Sequence, residues 1–344
     1  MRILWLGAYW LGWDLLYRSL KSLNEHEITL IRYDPPRAGD KRIQELIQPY
    51  TGQLDVIIYV AVNGGSCMPS IEELKRIRKI APTVMISPEG SDKSWWCGLI
   101  KKYYEDECFD LIVNIDGNPD WPYSEHGITR LTPIDITPWK TPKSWEERKY
   151  LCGTWSNRTG LREEVLNTLD DIVVWHGNIP ARPEFEEDDN LKSYDLYIDF
   201  NRNCKSVLNL AGRGADGSVS LIGLIKNGDG PTLTGLGLAE TTLTGAINRC
   251  LKDDGTHVKG RVIEAGLAGA TLIEQANAET ARWFVPGEDY ITFATIDEIR
   301  QQIHWVESHP DEAQKMANRL HDKVLRDHSP RVFWSDVFNK LFAR

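Results

Sequence analysis

Apolar and polar positions along the chain fall into two alternations of short buried strands and amphipathic helices, separated by a stretch with no clear period. In the first, residues 2–6 read as an apolar strand, and the turn from Gly7 to Gly12 leads into a helix ending near Leu23. Strand 28–32 follows, then a helix from about Lys41. Residues 54–62, LDVIIYVAV, form a near-continuous apolar run, as expected of a parallel strand covered on both faces. Helix 71–80, strand 83–87, the loop Pro88-Glu89-Gly90-Ser91-Asp92, helix 94–104 and strand 110–115 complete this half. Residues 117–148 are rich in Pro and Trp and read as a crossing between domains.

The second alternation opens with strand 150–152, ending in Gly153-Thr154-Trp155-Ser156-Asn157-Arg158. Helix 160–169, strand 172–175 and the loop His176-Gly177-Asn178 follow. Residues 181–190 read as an acidic loop, 192–203 as a helix and 206–210 as a strand. The glycine-rich region 211–257, with a helix near 242–251, reads as an insertion, because no glycine cluster in it sits between a strand and a helix. Residues 258–290 read as loop, helix, short strand, turn and helix. Helices near 296–307, 310–327 and 331–342 end the chain, the last with its aromatic and aliphatic residues on one face. Strands alternating with helices in this way predict a doubly wound parallel sheet in each half.

Length permits two domains, each with its own core: the chain has 344 residues, of which 41% are hydrophobic and 26% charged. A net charge of −10 argues against broad electrostatic binding to nucleic acid. The six cysteines are scattered without metal-like spacing and read as free thiols of a reducing compartment. No apolar run reaches the roughly 18 residues of a membrane span, and no signal-peptide layout follows Met1, so the expected location is the cytoplasm. Thirteen tryptophans suit either a sugar site or core filling.

Candidate chemistry concentrates in VKGRVIEAGLAGATLIEQ, from Val258. A helix whose N-terminus carries Lys259, Gly260 and Arg261 offers free N–H groups, a favourable dipole and cations to an anion. Glu264, one turn inside, can accept hydrogen bonds from sugar hydroxyls beside that anion. Phosphate plus ribose is the ligand these residues suggest. Gly7 and Gly12 follow the first strand without the G-x-G-x-x-G fingerprint, which disfavours a dinucleotide site. Gly7 and Trp10 then suit either a loop near the bound ligand or an ordinary strand-to-helix turn.

Two doubly wound halves with a phosphate-binding helix in the second suggest the GT-B glycosyltransferase fold, α/β with two Rossmann-like domains facing a cleft. The segments RVIEAGLAGATLIEQ, WFVPGEDYITF and DEIRQQIHWVESHPDEAQKMANRLHDKVLRDHS resemble the C-terminal half of the CgeB-like (spore maturation protein type) glycosyltransferases. YLCGTWSNRTGLREEVL, KSVLNLAG and FDLIVNIDG resemble further segments of that family. The resemblance implies an acceptor domain at 1–142, onto which helix 331–344 packs back, and a nucleotide-sugar-binding domain at 149–330. It implies transfer of a sugar from a nucleoside-diphosphate donor, UDP-linked, to an acceptor hydroxyl without a metal. No cofactor is expected, the nucleotide sugar being a co-substrate.

By the same resemblance Glu264 binds the ribose, and Lys259, Gly260 and Arg261 hold the diphosphate. Gly153, Thr154 and Arg158 line the donor phosphates, and His257 is a further donor-side candidate beside Lys259. A general base is expected at a strand end of the first domain, where Asp92 and Glu89 stand, with Asp116 next; Asp92 equally suits the cap of the following helix. Many retaining GT-B enzymes have two glutamates spaced E-x7-E; the second matches Glu264, and Thr256 stands at the first. That departure keeps open a non-catalytic nucleotide-sugar-binding protein, and another Rossmann-type enzyme such as an epimerase or dehydrogenase is the remaining reading. The acceptor (glycan, protein, metabolite or modified nucleic acid) is not written in the sequence.

Overall fold

The structure is a computed structural model that describes residues 1–8, 11–33, 40–60, 69–87, 94–156, 161–177, 187–210, 258 and 260–343. The chain divides into two compact units, and Met1–Thr137 with Arg326–Arg344 fall in the first.

The first unit holds strands β1 (Arg2–Ala8), β2 (Glu27–Tyr33), β3 (Val56–Val60), β4 (Thr83–Ser87), β5 (Leu111–Asn114) and β6 (Ile128–Thr129). They form one sheet in the order β2-β1-β3-β4-β5-β6, every pair parallel. Helices α1 (Leu11–Lys21), α2 (Asp40–Ile47), α3 (Ile71–Arg78) and α4 (Ser94–Glu105) connect successive strands. All residues of the central strands β3, β4 and β5 are buried, and their sequences, VIIYV, TVMIS and LIVN, are mostly apolar, as strands covered on both faces require. β6 lies within the stretch read from sequence as an interdomain crossing. Its two residues are too few to show a period, yet they pair with Val113 and Asn114.

The last helix, α11 (Pro330–Phe342), completes this unit's core. Phe333, Trp334, Val337, Phe338 and Leu341 are buried in the cluster that contains Ile3, Trp5, Leu16 and Leu20. Burying each such side chain contributes about 1.5–3 kcal/mol. Trp334 donates its indole N–H to Ser19 Oγ at 3.0 Å, and Arg130 grips Asp336 at 2.7 Å.

The second unit contains β7 (Tyr150–Trp155), β8 (Val174–His176), β9 (Cys204–Asn209), β10 (Thr271–Gln275) and β11 (Ile291–Phe293). Their order is β11-β10-β9-β7-β8, again all parallel. Helices α5 (Leu161–Asn167), α6 (Glu187–Arg202), α7 (Gly260–Ala268), α8 (Ala278–Trp283), α9 (Ile296–Ser308) and α10 (Pro310–Asp327) accompany it. Residues 187–190, read from sequence as part of an acidic loop, form the first turn of α6. β11 is three residues long and has no sequence period of its own; its pairing with Ile273, Glu274 and Gln275 creates it.

Two features fix α7. Gly269 has φ +63°, and its N–H reaches Gly266 O at 2.9 Å while Ala270 N–H reaches Ala265 O at 3.1 Å, the paired bonds of a Schellman stop. Arg148, buried at the same end, donates to the carbonyls of Ala268 and Gly269 and also to Cys204 O and Lys143 O. Burial lowers its pKa to about 10, so it remains a cation at neutral pH and complements the negative end of the helix.

Candidate functional site

α7 ends at Ala268 and β10 begins at Thr271, so the C-terminus of α7 lies at the N-terminal edge of the second sheet. Its N-terminus therefore points to the C-terminal edge, where open parallel sheets bind ligands. The order of this sheet reverses between β7 and β9. The first sheet has its own reversal between β1 and β3, and Gly7 stands there, one residue before the end of β1.

Glu264 sits one turn into α7 and is buried. Its carboxylate accepts a hydrogen bond at Oε2 from the phenol of Tyr197 on α6. Burial raises the Glu264 pKa, while the Tyr197 hydrogen bond and the Arg261 guanidinium oppose the rise. The Tyr197 pKa is pushed well above that of a free phenol, first by burial and then by the Glu264 charge, so Tyr197 remains the donor. Gly260 and Arg261 are half-buried at the start of the helix.

An aromatic wall supports this pair. Tyr197 stacks on Tyr194, with ring centroids 5.9 Å apart, and meets the edges of Trp139 and Trp155 at 6.3 and 5.5 Å. Trp155, the last residue of β7, stacks on His176, the last residue of β8, at 5.1 Å. Trp155 Nε1 and Ser156 Oγ are buried without a hydrogen-bond partner among the described residues. Beside this wall, Asn209 donates to Glu274 Oε2 at 2.7 Å and Thr280 to Oε1 at 3.2 Å, so a second fully buried carboxylate is held at the ends of β9 and β10.

Sequence reasoning singled out Glu264, Arg261 and Gly260 and missed Tyr197, Tyr194, Trp155 and Glu274. The signals were a Tyr pair at i, i+3 in SYDLYIDF and one Glu within each of two apolar runs, VIEAGLAGA and TLIEQ. Gly153 and Thr154 are buried within β7, which runs three residues further than the sequence suggests. Gly153 pairs with Val174 on one side and Val207 on the other. A Cβ there would stand 2.4 Å from Cys204 Sγ and 2.7 Å from Phe200 Cζ, so packing alone requires glycine at this position. Asp116 accepts from Asn114 Nδ2 at 2.5 Å and from Asn118 N–H at 2.9 Å, closing a buried turn after β5. His176 is exposed on its sheet edge. Glu89, Asp92, Trp10, Arg158, His257, Lys259 and the glycine-rich region 211–257 lie outside the described residues.

Residues 237–337 match the profile of a family described as glycosyl transferase-like. No curated protein sequence matches the chain. Solved structures are similar over the whole chain. A glycosyltransferase from Rickettsia africae ESF-5 has a TM-score of 0.56 and 11% identity, covering 99% of this chain and 98% of its own. Anabaena Alr3699/HepE in complex with UDP-glucose has a TM-score of 0.59 and 9% identity over all of both chains. Sucrose-phosphate synthase from Thermosynechococcus elongatus has a TM-score of 0.58 and 10% identity, covering 100% of this chain and 99% of its own.

Proposed function

We propose, from the GT-B fold and the match of residues 237–337 to a glycosyl transferase-like profile, that the protein is a glycosyltransferase that binds a nucleoside-diphosphate sugar at the C-terminal edge of the second sheet. The observation that carries this reading is Glu264: a buried carboxylate one turn inside a helix whose N-terminus carries Arg261. A helix N-terminus with cations suits a diphosphate, and a buried carboxylate beside it suits the vicinal hydroxyls of a ribose. UDP is the proposed nucleotide, in keeping with the UDP-glucose held by the Anabaena protein of the same fold.

In the proposed reaction, the acceptor hydroxyl oxygen forms a bond to the anomeric carbon as the bond from that carbon to the phosphate oxygen breaks. The hydroxyl proton passes to a base, for which Asp92 and Glu89 are the proposed residues. The nucleoside diphosphate departs with its charge stabilised by Arg261, Lys259 and the N–H groups of α7, the role a metal fills elsewhere. Gly153, Thr154, Arg158 and His257 remain proposed donor-side positions, and Gly7 and Trp10 a proposed loop near the reacting groups. The domain roles proposed from the resemblance, acceptor for the first and donor for the second, follow the same reading.

The test is release of nucleoside diphosphate from a panel of nucleotide sugars, by transfer or by slow hydrolysis. Release from one donor, abolished in Arg261→Ala, supports the proposal. Tight binding with no release across a broad acceptor panel would point instead to a non-catalytic donor-binding protein, the reading that Thr256 in place of a glutamate keeps open.

A further inference from the structure

Glu264 has two oxygens, and the structure engages one of them with an unusual partner. The phenol of Tyr197 reaches Oε2 from a different helix, 67 residues earlier in the chain. Both side chains are buried. The Tyr197 ring is itself wedged against Trp139, Trp155 and Tyr194, with centroids 5.5–6.3 Å away, so it has little freedom to turn away. A phenol so confined fixes the carboxylate in one rotamer. Oε1 is the oxygen that Tyr197 does not engage.

We propose that Tyr197 is the positioning residue for ribose selectivity at the donor site: it anchors Oε2 of Glu264 and commits Oε1 to the 2′- and 3′-hydroxyls of a ribonucleotide. The inference rests on the donor reading above and adds to it a substrate class, ribo- over deoxyribonucleoside diphosphates, and the residue that enforces it. The physical reason is pre-organisation. A carboxylate already aligned and desolvated loses little on meeting a diol, whereas a deoxyribose leaves its buried oxygen without a hydrogen-bond donor. A carboxylate free to rotate could swing toward solvent or toward Arg261 and would discriminate less. In this role Tyr197 touches no part of the donor and acts only through Glu264.

The experiment compares the affinities of UDP, ADP and GDP with those of their 2′-deoxy counterparts, for the full-length protein and three variants. The wild type should prefer the ribonucleotide about 10-fold or more, the scale of one charge-assisted hydrogen bond. Tyr197→Phe keeps the ring packing and should reduce that preference to about 2-fold, mainly by weakening the ribonucleotide. Adding Tyr197→Phe to Glu264→Gln should change the preference no further. A tyrosine that serves only packing would lower all affinities alike and act additively with Glu264→Gln. If Tyr197→Phe does not fold, Tyr197→His, which keeps a ring N–H donor, should retain part of the preference. Full ribose preference in Tyr197→Phe overturns the role of Tyr197 and leaves the donor reading intact. Wild-type protein that binds none of these diphosphates overturns both.

Discussion

At the residue scale, Glu264 carries opposite consequences for stability and binding. Its pKa in the fold is raised by burial, so the folded state holds its proton more tightly than the unfolded chain does. The fold therefore has its full stability below the ordinary carboxylate range and loses part of it as pH rises through the raised pKa. Replacing the carboxylate by a neutral isostere removes that loss, and Gln can still accept from Tyr197. Glu264→Gln should raise the melting temperature at pH 8 by about 2–4 °C, the change that roughly 1 kcal/mol gives for a chain or domain of 150–250 residues. It should leave the melting temperature at pH 4 nearly unchanged, and it should weaken UDP binding by about 1–3 kcal/mol. Thermal melts at the two pH values and a titration with UDP check this. A lower melting temperature at pH 8, or unaltered UDP affinity, would contradict the account of Glu264.

Elements show which features of this chain are local and which are made by partners. Strands β3 and β4 and helices α9 to α11 were legible because their periods are long and their ends carry plain signals. Thr295, for example, caps α9 by accepting from Glu298 N–H at 3.1 Å. β6 and β11 were not legible, since strands of two and three residues exist only through their neighbours. Helix α7 was legible from Glu264 and Gly269, but its lock on Tyr197 was not, because 67 residues separate the pair. Gly153 is a case where a motif position has a sufficient packing reason. Gly153→Ala should destabilise the fold by about 1–3 kcal/mol, as overpacking does. Phe200→Leu, which relieves the nearer ring contact, should recover part of that loss. Denaturant melts of the single and double variants decide it; a neutral Gly153→Ala would show that β7 and α6 have room there and that the glycine serves another purpose.

For the whole molecule, composition bounded the answer but did not give it. Among the described residues no helix is long and apolar enough to cross a membrane. Both units carry a doubly wound parallel sheet with a reversal point, which suits a nucleotide ligand but leaves the chemistry open. The candidate site places a buried carboxylate, held by a phenol, one turn inside a helix that begins with Gly260 and Arg261 in the second unit. The acceptor of the proposed reaction is not legible, since no residue pattern in the sequence names its chemistry. Binding of a nucleoside diphosphate at this edge is tested most directly by a thermal-shift panel of UDP, GDP, ADP, TDP, CMP and NAD against the wild-type protein. A ligand that binds only the folded state raises the melting temperature, by about 2.7 kcal/mol of added stability at 100 times its Kd. A shift with UDP that is lost in Arg261→Ala is the expected result; a shift with NAD alone, or none with any nucleoside diphosphate, would contradict a diphosphate site at this edge.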